Sequence, residues 1–155
     1  MSSIVTTYHK IVATGMGFGL SPFAPGTCGA LLAVATLYPI SLSTMPDVWL
    51  AVLTILFYFL GVAATKHLEP IWGKDPSRIV IDEVIGLWIS ILFVPITTVT
   101  AVLAFILFRF FDIAKPLGVR RMENVGGAHG VMLDDVLAGI YANIVLQIVY
   151  YSFIA

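Results

Sequence analysis

The sequence predicts an all-α integral membrane protein, in which an N-terminal interfacial helix precedes a bundle of about four to five apolar helices. Hydrophobic residues make up 59% of the chain and charged residues 11%, with a mean hydropathy of +1.00. Soluble domains carry about 25% charged residues. The apolar residues form several long runs separated by short polar stretches, and the 155 residues are enough for a single domain spanning 1–155.

The N-terminal part combines a short helix with a broken segment. Residues 1–20 place apolar Ile4, Ile11 and Met16 near one helical face, which indicates an interfacial helix. GFGLSPFAPGTCG, residues 17–29, contains four glycines and two prolines, so we expect an ordered loop or re-entrant turn. Such backbone survives beside a membrane where protein or water satisfies its amides, so this loop is expected to line a cavity.

Five apolar segments follow this loop. The third and fourth have about 15 residues, or roughly 23 Å of helix, which is short for a hydrocarbon core of about 30 Å. They predict helices with little tilt, local thinning of the bilayer, or a hairpin around Pro95 that is partly buried in protein. The segments are 30–45, 48–65, 79–93, 97–111 and 136–155.

The positions of the basic residues predict the orientation. If the N-terminus is cytoplasmic, all eight lysines and arginines fall in cytoplasmic stretches, whereas the loops around 41–47 and 94–98 contain none. The polar loops are therefore expected to face the cytoplasm. A net charge of −1 gives no overall field that would attract nucleic acid.

Two pairs of carboxylates are the candidate metal ligands. Asp82 and Glu83 open the third apolar segment, and Asp134 and Asp135 precede the last one. A glycine follows four residues after Asp82 and four residues after Asp135, which allows another backbone or a ligand to approach. Oxygen ligands of this kind suit Mg²⁺. The alternative is that these acids complement helix dipoles, one of Asp134 and Asp135 being an N-cap.

Arg109, Asp112 and Lys115 share one helical face through their three-residue spacing. Arg109 or Lys115 can hold a phosphate, while Asp112 joins the metal ligands or orients a cation. The alternative is a surface ladder of ion pairs. Arg120 and Arg121 fit anchoring to anionic lipid and substrate contact equally well.

The histidines offer weaker candidates. His129 lies among Gly126, Gly127 and Gly130 in a predicted flexible loop, where it is either a general acid or a solvated side chain. His9 and His67 show no supporting neighbours in the sequence and are interpreted as structural.

The set of polar residues favours attack by metal-activated water on a phosphate ester, because the chain shows no recognisable protein nucleophile motif. Intramembrane acids beside a glycine-rich broken segment also fit an ion-coupled transporter or small channel. A phosphatidyl transferase is disfavoured because the CDP-alcohol transferase motif is absent.

Three sequence blocks together resemble the phosphatidylglycerophosphatase A family: residues 17–29, IDEVIG at 81–86, and FRFFDIAKP with GVMLDDVLAG at 108–116 and 130–139. The chain departs from the family pattern at Ala30, at Leu117 with Gly118, and at His129. The resemblance implies a multi-pass protein of the bacterial inner membrane with a cytoplasm-facing active site. It also implies Mg²⁺-dependent hydrolysis of an anionic phospholipid, phosphatidylglycerophosphate, to phosphatidylglycerol and inorganic phosphate.

The resemblance also implies roles for individual residues. The expected catalytic residues are Asp82, Glu83, Asp134 and Asp135, and the expected metal ligands are these four together with Asp112. The expected substrate-binding residues are Arg109, Lys115, Thr27, Gly26, Ser21 and Arg121.

Overall fold

The structure is a computed structural model that describes residues 3–74, 76–116, 118–119 and 125–154. Within these ranges the chain forms six α-helices and one short 3₁₀ helix, and it contains no strand, so the all-α prediction is confirmed. The helices are α1 (Ser3–Ala13), α2 (Pro25–Ser41), α3 (Pro46–Trp72), α4 (Ile81–Ile91), α5 (Thr98–Ala114) and α6 (Gly127–Phe153), with the 3₁₀ helix at Phe18–Leu20.

Helices α2 to α6 run in alternating directions, so that their ends meet at two poles of the bundle. At one pole, Asp47 at the start of α3 accepts a hydrogen bond of 3.2 Å from the backbone N–H of Phe93, and Tyr151 near the end of α6 donates to the Phe93 carbonyl. At the other pole, Gly26 of α2 lies against Glu83 of α4 and Arg109 of α5. We call this second end the polar pole.

Helix α4 is the centre of the core. Nine of its eleven residues are buried, and it packs against α2, α3, α5 and α6. Its C-terminal carbonyl groups are satisfied by Asn143 of α6, whose side-chain amide donates to Ser90 O and Leu92 O. Because neighbouring helices surround α4, the side chains in its first turn hold fixed positions at the polar pole.

Three helix boundaries differ from the sequence prediction. Helix α2 begins at Pro25, a residue whose fixed φ suits the first helical turn, so the end of the predicted loop 17–29 is helical. Helix α3 continues past residue 65 to Trp72. Helix α6 begins at Gly127, nine residues before the predicted start at 136. The predicted segment in α3 ended before Lys66, and the predicted segment in α6 began after Asp134 and Asp135. Both helices continue through these charged residues.

Among the helices that the structure describes, two are long and apolar enough to cross a membrane: α3 and α6. The predicted bundle of four to five membrane helices is therefore supported for two of them by length and composition, while α2 is a shorter apolar helix. Helix α4, at about 17 Å, is too short to cross a hydrocarbon core of about 30 Å.

Large apolar side chains are exposed on the outer surfaces of the bundle, including Phe59, Phe110 and Ile148. An apolar surface of this extent favours contact with lipid.

Helix α1 packs on α3 through a pair of histidines. The rings of His9 and His67 stack with centroids 4.3 Å apart, and Thr6 Oγ1 lies 3.3 Å from His67 Nε2. Burial lowers the pKa of His9, and the neighbouring His67 lowers it further. The prediction that these histidines have no supporting neighbours was wrong, because their 58-residue separation along the chain hides a direct contact.

Candidate functional site

Three carboxylates from two helices converge at the polar pole. Oxygen atoms of Asp82, Glu83 and Asp135 all lie within 4.8 Å of one another. Asp82 and Glu83 are in the first turn of α4, as the sequence predicted, and Asp135 extends from α6. Asp82 and Asp135 are 8% and 4% exposed, so bulk water screens their charges poorly.

A close contact between two glycines brings these carboxylates together. A Cβ atom added at Gly139 of α6 would overlap the carbonyl oxygen of Gly86 in α4. A Cβ atom added at Gly86 would lie 2.7 Å from the carbonyl oxygen of Asp135. The absence of side chains therefore lets the two backbones touch one helical turn beyond Asp82 and Asp135.

The other two predicted carboxylates surround this group. Asp112 of α5 lies beside Asp135, and Arg109 donates to Asp112 Oδ2 at 2.5 Å. Asp134 accepts a hydrogen bond of 2.7 Å from Lys115 Nζ. Together with the three convergent acids they form the carboxylate cluster: Asp82, Glu83, Asp112, Asp134 and Asp135.

Asp134 and Asp135 are not at a helix start. They lie two turns inside α6, whose N-cap is Gly126. The alternative prediction that one of them caps the last helix was therefore wrong. Because capping does not explain these buried acids, their position calls for partners outside the helix backbone.

The electrostatics of the first turn of α4 require a compensating positive charge. Burial raises the pKa of Asp82 well above its usual range, and the nearby carboxylates of Glu83 and Asp135 raise it further. Burial also raises the pKa of Glu83, against the opposing effect of its hydrogen bond with Asp82. The carboxylate cluster itself contains five acids and is paired with two cations, Arg109 and Lys115, so acidic groups outnumber basic ones within it.

Buried polar atoms without partners show what the site can accept. Among the described residues, Asp82 Oδ1, Glu83 Oε2 and Arg109 Nε are buried without a hydrogen bond. Buried polar groups normally have partners, so such atoms call for an explanation. The two carboxylate oxygens fit a hard cation such as Mg²⁺, and the guanidinium N–H fits an anion such as phosphate.

The first turn of α2 forms another wall of the site. A Cβ atom at Gly26 would overlap Glu83 Oε1 and lie 3.2 Å from Arg109 Nη1, so the backbone of this turn lies directly against both side chains. Thr27 is half-buried in the same turn. The N-cap residue of α2, Ala24, provides no side-chain hydrogen bond to this turn, and a helix N-terminus favours bound anions.

Ser21 is engaged elsewhere. Its hydroxyl donates to Phe23 O and accepts from Phe23 N–H, at 2.9 and 3.3 Å. It lines a cavity of about 530 Å³ whose walls include Cys28 and none of the cluster carboxylates. The structure therefore does not bring Ser21 to the carboxylate cluster.

His129 lies in the first turn of α6 and not in a flexible loop, because Gly127 and Gly130 are helical. It is exposed, and its Nδ1 is 3.1 Å from the hydroxyl of Tyr58 on α3. No local sequence pattern indicates Tyr58 as its partner, because Tyr58 is 71 residues away along the chain. Arg121 lies outside the described residues.

Comparisons with known proteins agree on one group of enzymes. The family model described as Phosphatidylglycerophosphatase A matches residues 11–150. Two proteins named phosphatidylglycerophosphatase A are similar to this chain: that of Haemophilus influenzae is 38% identical, covering 96% of this chain and 92% of the relative, and that of Escherichia coli (strain K12) is 35% identical, covering 84% and 76%.

A third relative carries a different name. A protein of Bacteroides thetaiotaomicron named putative phosphatidylinositol-3-phosphatase is 49% identical, covering 89% of this chain and 91% of the relative. No solved structure matches the chain significantly.

Proposed function

Because the chain belongs to the phosphatidylglycerophosphatase A family, it is a phosphomonoester hydrolase, and we propose that it converts phosphatidylglycerophosphate to phosphatidylglycerol and inorganic phosphate. The observation that supports this proposal best is the buried carboxylate cluster next to Arg109. Its unpartnered oxygen atoms suit a cation, and the unpartnered guanidinium N–H suits a phosphate.

Arg109 and Lys115 are the residues that we assign to the phosphate. Asp112 holds one guanidinium nitrogen of Arg109, which leaves Nε–H to donate to a phosphate oxygen. Lys115 donates to Asp134, and its positive charge adds to that of Arg109 at the polar pole. The amides in the first turn of α2, at Gly26 and Thr27, add partial positive charge beside Arg109. These groups stabilise the negative charge that spreads over the phosphoryl oxygens during the reaction.

Asp82, Glu83 and Asp135 are the residues that we assign to Mg²⁺, with Asp112 and Asp134 as the neighbouring carboxylates. When bound, Mg²⁺ would polarise a phosphoryl oxygen and lower the pKa of a water molecule. Glu83 lies between the buried acids and Arg109, and its Oε2 carries no other partner. Glu83 Oε2 would therefore bind the cation, so that this side chain links the proposed metal ligands with the phosphate-binding Arg109.

A phosphoinositol lipid is the second candidate substrate, because the Bacteroides thetaiotaomicron relative is 49% identical to this chain. Both lipids present a phosphomonoester to the same cations, but they differ in the polyol that carries it. The transporter alternative is not supported, since the acidic cluster lies at one pole of the bundle and the family consists of phosphatases.

We propose that the polar pole faces the cytoplasm at a bacterial inner membrane. Lys10 and Arg78 lie about 6 Å from the ring of Trp72, at the end of α3 that leads into α4. Arg109 and Lys115 lie at the same pole. This concentration of basic residues on one side is the pattern of cytoplasmic segments.

The test is phosphate release by the purified protein in detergent, with phosphatidylglycerophosphate and phosphatidylinositol 3-phosphate compared side by side. We expect release that requires Mg²⁺ and stops on chelation, and we expect its loss in the double variant Asp82→Asn, Asp135→Asn. Asp47→Asn, at the opposite pole, is the matched control and should remain active. Full phosphate release by the double variant would contradict the proposed site.

A further inference from the structure

An apolar groove of about 210 Å³ lies between α1, α2, α3 and α4. Its walls include Val12, Leu32, Phe57, Val84 and Trp88. The carboxylate cluster needs no groove of this kind for its own chemistry, so the groove requires a separate explanation.

The groove offers no polar atom that a ligand can bind. Thr36 is the polar side chain among its described lining residues, and its hydroxyl donates to Ala33 O at 2.6 Å. The same hydroxyl accepts from Trp88 Nε1–H at 2.9 Å, so the indole donor is used as well. A ligand in this groove must therefore be a hydrocarbon rather than a headgroup.

Two helices connect the groove with the carboxylate cluster. Ile81 and Val84 line the groove, and Asp82 and Glu83 lie between them in the same turn of α4. On α2, the first turn touches Glu83, and Leu32 lines the groove about 9 Å further along the helix. The groove and the proposed phosphate site therefore lie on the same two helices, within about two turns of each other.

The groove opens to an apolar rim. Ile11 and Met16 line it and are 50% and 71% exposed. Gly15 and Met16 both have left-handed φ, at 53° and 56°, which is unfavourable for methionine. This backbone keeps the exposed apolar side chain of Met16 at the mouth, next to the exposed apolar residues of α1.

We propose that this groove binds one acyl chain of the phospholipid substrate while the phosphate is held at Arg109. The inference rests on the proposed function, because it is the lipid substrate that supplies a hydrocarbon chain covalently attached to the phosphorylated headgroup. The enzyme then selects diacyl lipids over the water-soluble phosphate esters that share their headgroup.

The first experiment blocks the groove with Val12→Phe and uses Val34→Phe as the matched control, since Val34 lines a different cavity, between α2 and α5. Phosphate release is measured with long-chain phosphatidylglycerophosphate and with its deacylated, water-soluble counterpart. We expect Val12→Phe to lower kcat/KM for the long-chain lipid about tenfold, with the loss confined to that substrate. Val34→Phe should leave both rates near those of the wild type. Equal losses on both substrates, or no loss on the lipid, would overturn the proposal.

The second experiment needs no turnover and keeps the wild-type packing around the groove. In the variant Trp49→Phe, Trp72→Phe, Trp88 is the one remaining tryptophan. Phosphatidylglycerophosphate with brominated acyl chains should quench Trp88 fluorescence more strongly than brominated phosphatidylcholine at the same surface density. Equal quenching by both lipids would show nonspecific lipid contact and overturn the proposal. If the wild-type protein releases phosphate from neither substrate, the proposed function is overturned instead. The quenching experiment would then still show whether the groove binds an acyl chain of this lipid.

Discussion

At the scale of single residues, Gly26 shows how closely the parts of the site are packed. A side chain there has no space, because its Cβ would overlap Glu83 Oε1 and crowd Arg109 Nη1. We predict that Gly26→Ala displaces Glu83 relative to the phosphate and lowers kcat/KM about a hundredfold, as expected for a misplacement of about 1 Å. Steady-state phosphate release measures the effect.

Gly61→Ala is the control for this substitution. Its Cβ would meet side-chain atoms rather than backbone, namely the terminal methyl group of flexible Met132 and, at 3.1 Å, Cγ2 of Ile81, so we expect near wild-type activity. Gly26→Ala protein with wild-type kcat/KM would show that the first turn of α2 does not position Glu83 or Arg109.

A second residue-scale prediction concerns Asp82. Its buried charge lies beside Glu83 and Asp135, so it opposes folding of the metal-free protein. We predict that Asp82→Asn raises the Tm of the metal-free protein and removes the stabilisation by Mg²⁺. In the wild type, Mg²⁺ at a hundredfold excess over its Kd should add about 2.7 kcal/mol. Thermal unfolding in detergent, with and without Mg²⁺, measures both effects, and a variant still stabilised by Mg²⁺ would contradict the assignment of Asp82 as a ligand.

At the scale of elements, the crossing of α4 and α6 depends on Gly86 and Gly139. A Cβ atom at Gly139 would meet the backbone of α4, which cannot move away as a flexible side chain can. We predict that Gly139→Ala destabilises the protein by about 2–3 kcal/mol. Equilibrium unfolding in detergent measures the change, and Gly61→Ala again serves as the control. An unchanged free energy of unfolding would show that the two backbones are not in contact.

The elements also show what the sequence could and could not predict. The start of α4 at Asp82 and Glu83 was predictable, because an apolar run begins there, and the glycines four residues after Asp82 and Asp135 predicted a close approach. The start of α6 was not predictable. Asp134 and Asp135 lie inside a helix and interact with residues of other helices, but in the sequence they look the same as acids in a loop. The contact of Gly26 with Glu83 and the pairing of His9 with His67 depend on separations of 57 and 58 residues. No local pattern encodes them.

At the scale of the whole molecule, the alternating helices place the end of α6 at the pole opposite the carboxylate cluster. With the polar pole in the cytoplasm, the C-terminus lies on the other side of the membrane. We predict that a C-terminal alkaline phosphatase fusion is active and that a green fluorescent protein fusion at the same position is dark in a bacterial host. Fusion after Lys74, near the polar pole, should give the opposite pair of signals. A fluorescent C-terminal fusion would contradict the proposed orientation.

The contact between Gly86 and Gly139 has a consequence for which ions the protein accepts. Because Asp82 and Asp135 each lie one turn before a contacting glycine, the distance between the helix backbones limits how far apart the carboxylates can move. Mg²⁺ requires oxygen atoms at about 2.1 Å, whereas Ca²⁺ takes them at about 2.3–2.6 Å. A chain that separates the two helices slightly, as Gly139→Ala would, is therefore expected to favour the larger ion. In the proposed metal site, Gly86 and Gly139 would thus determine which divalent cation fits best.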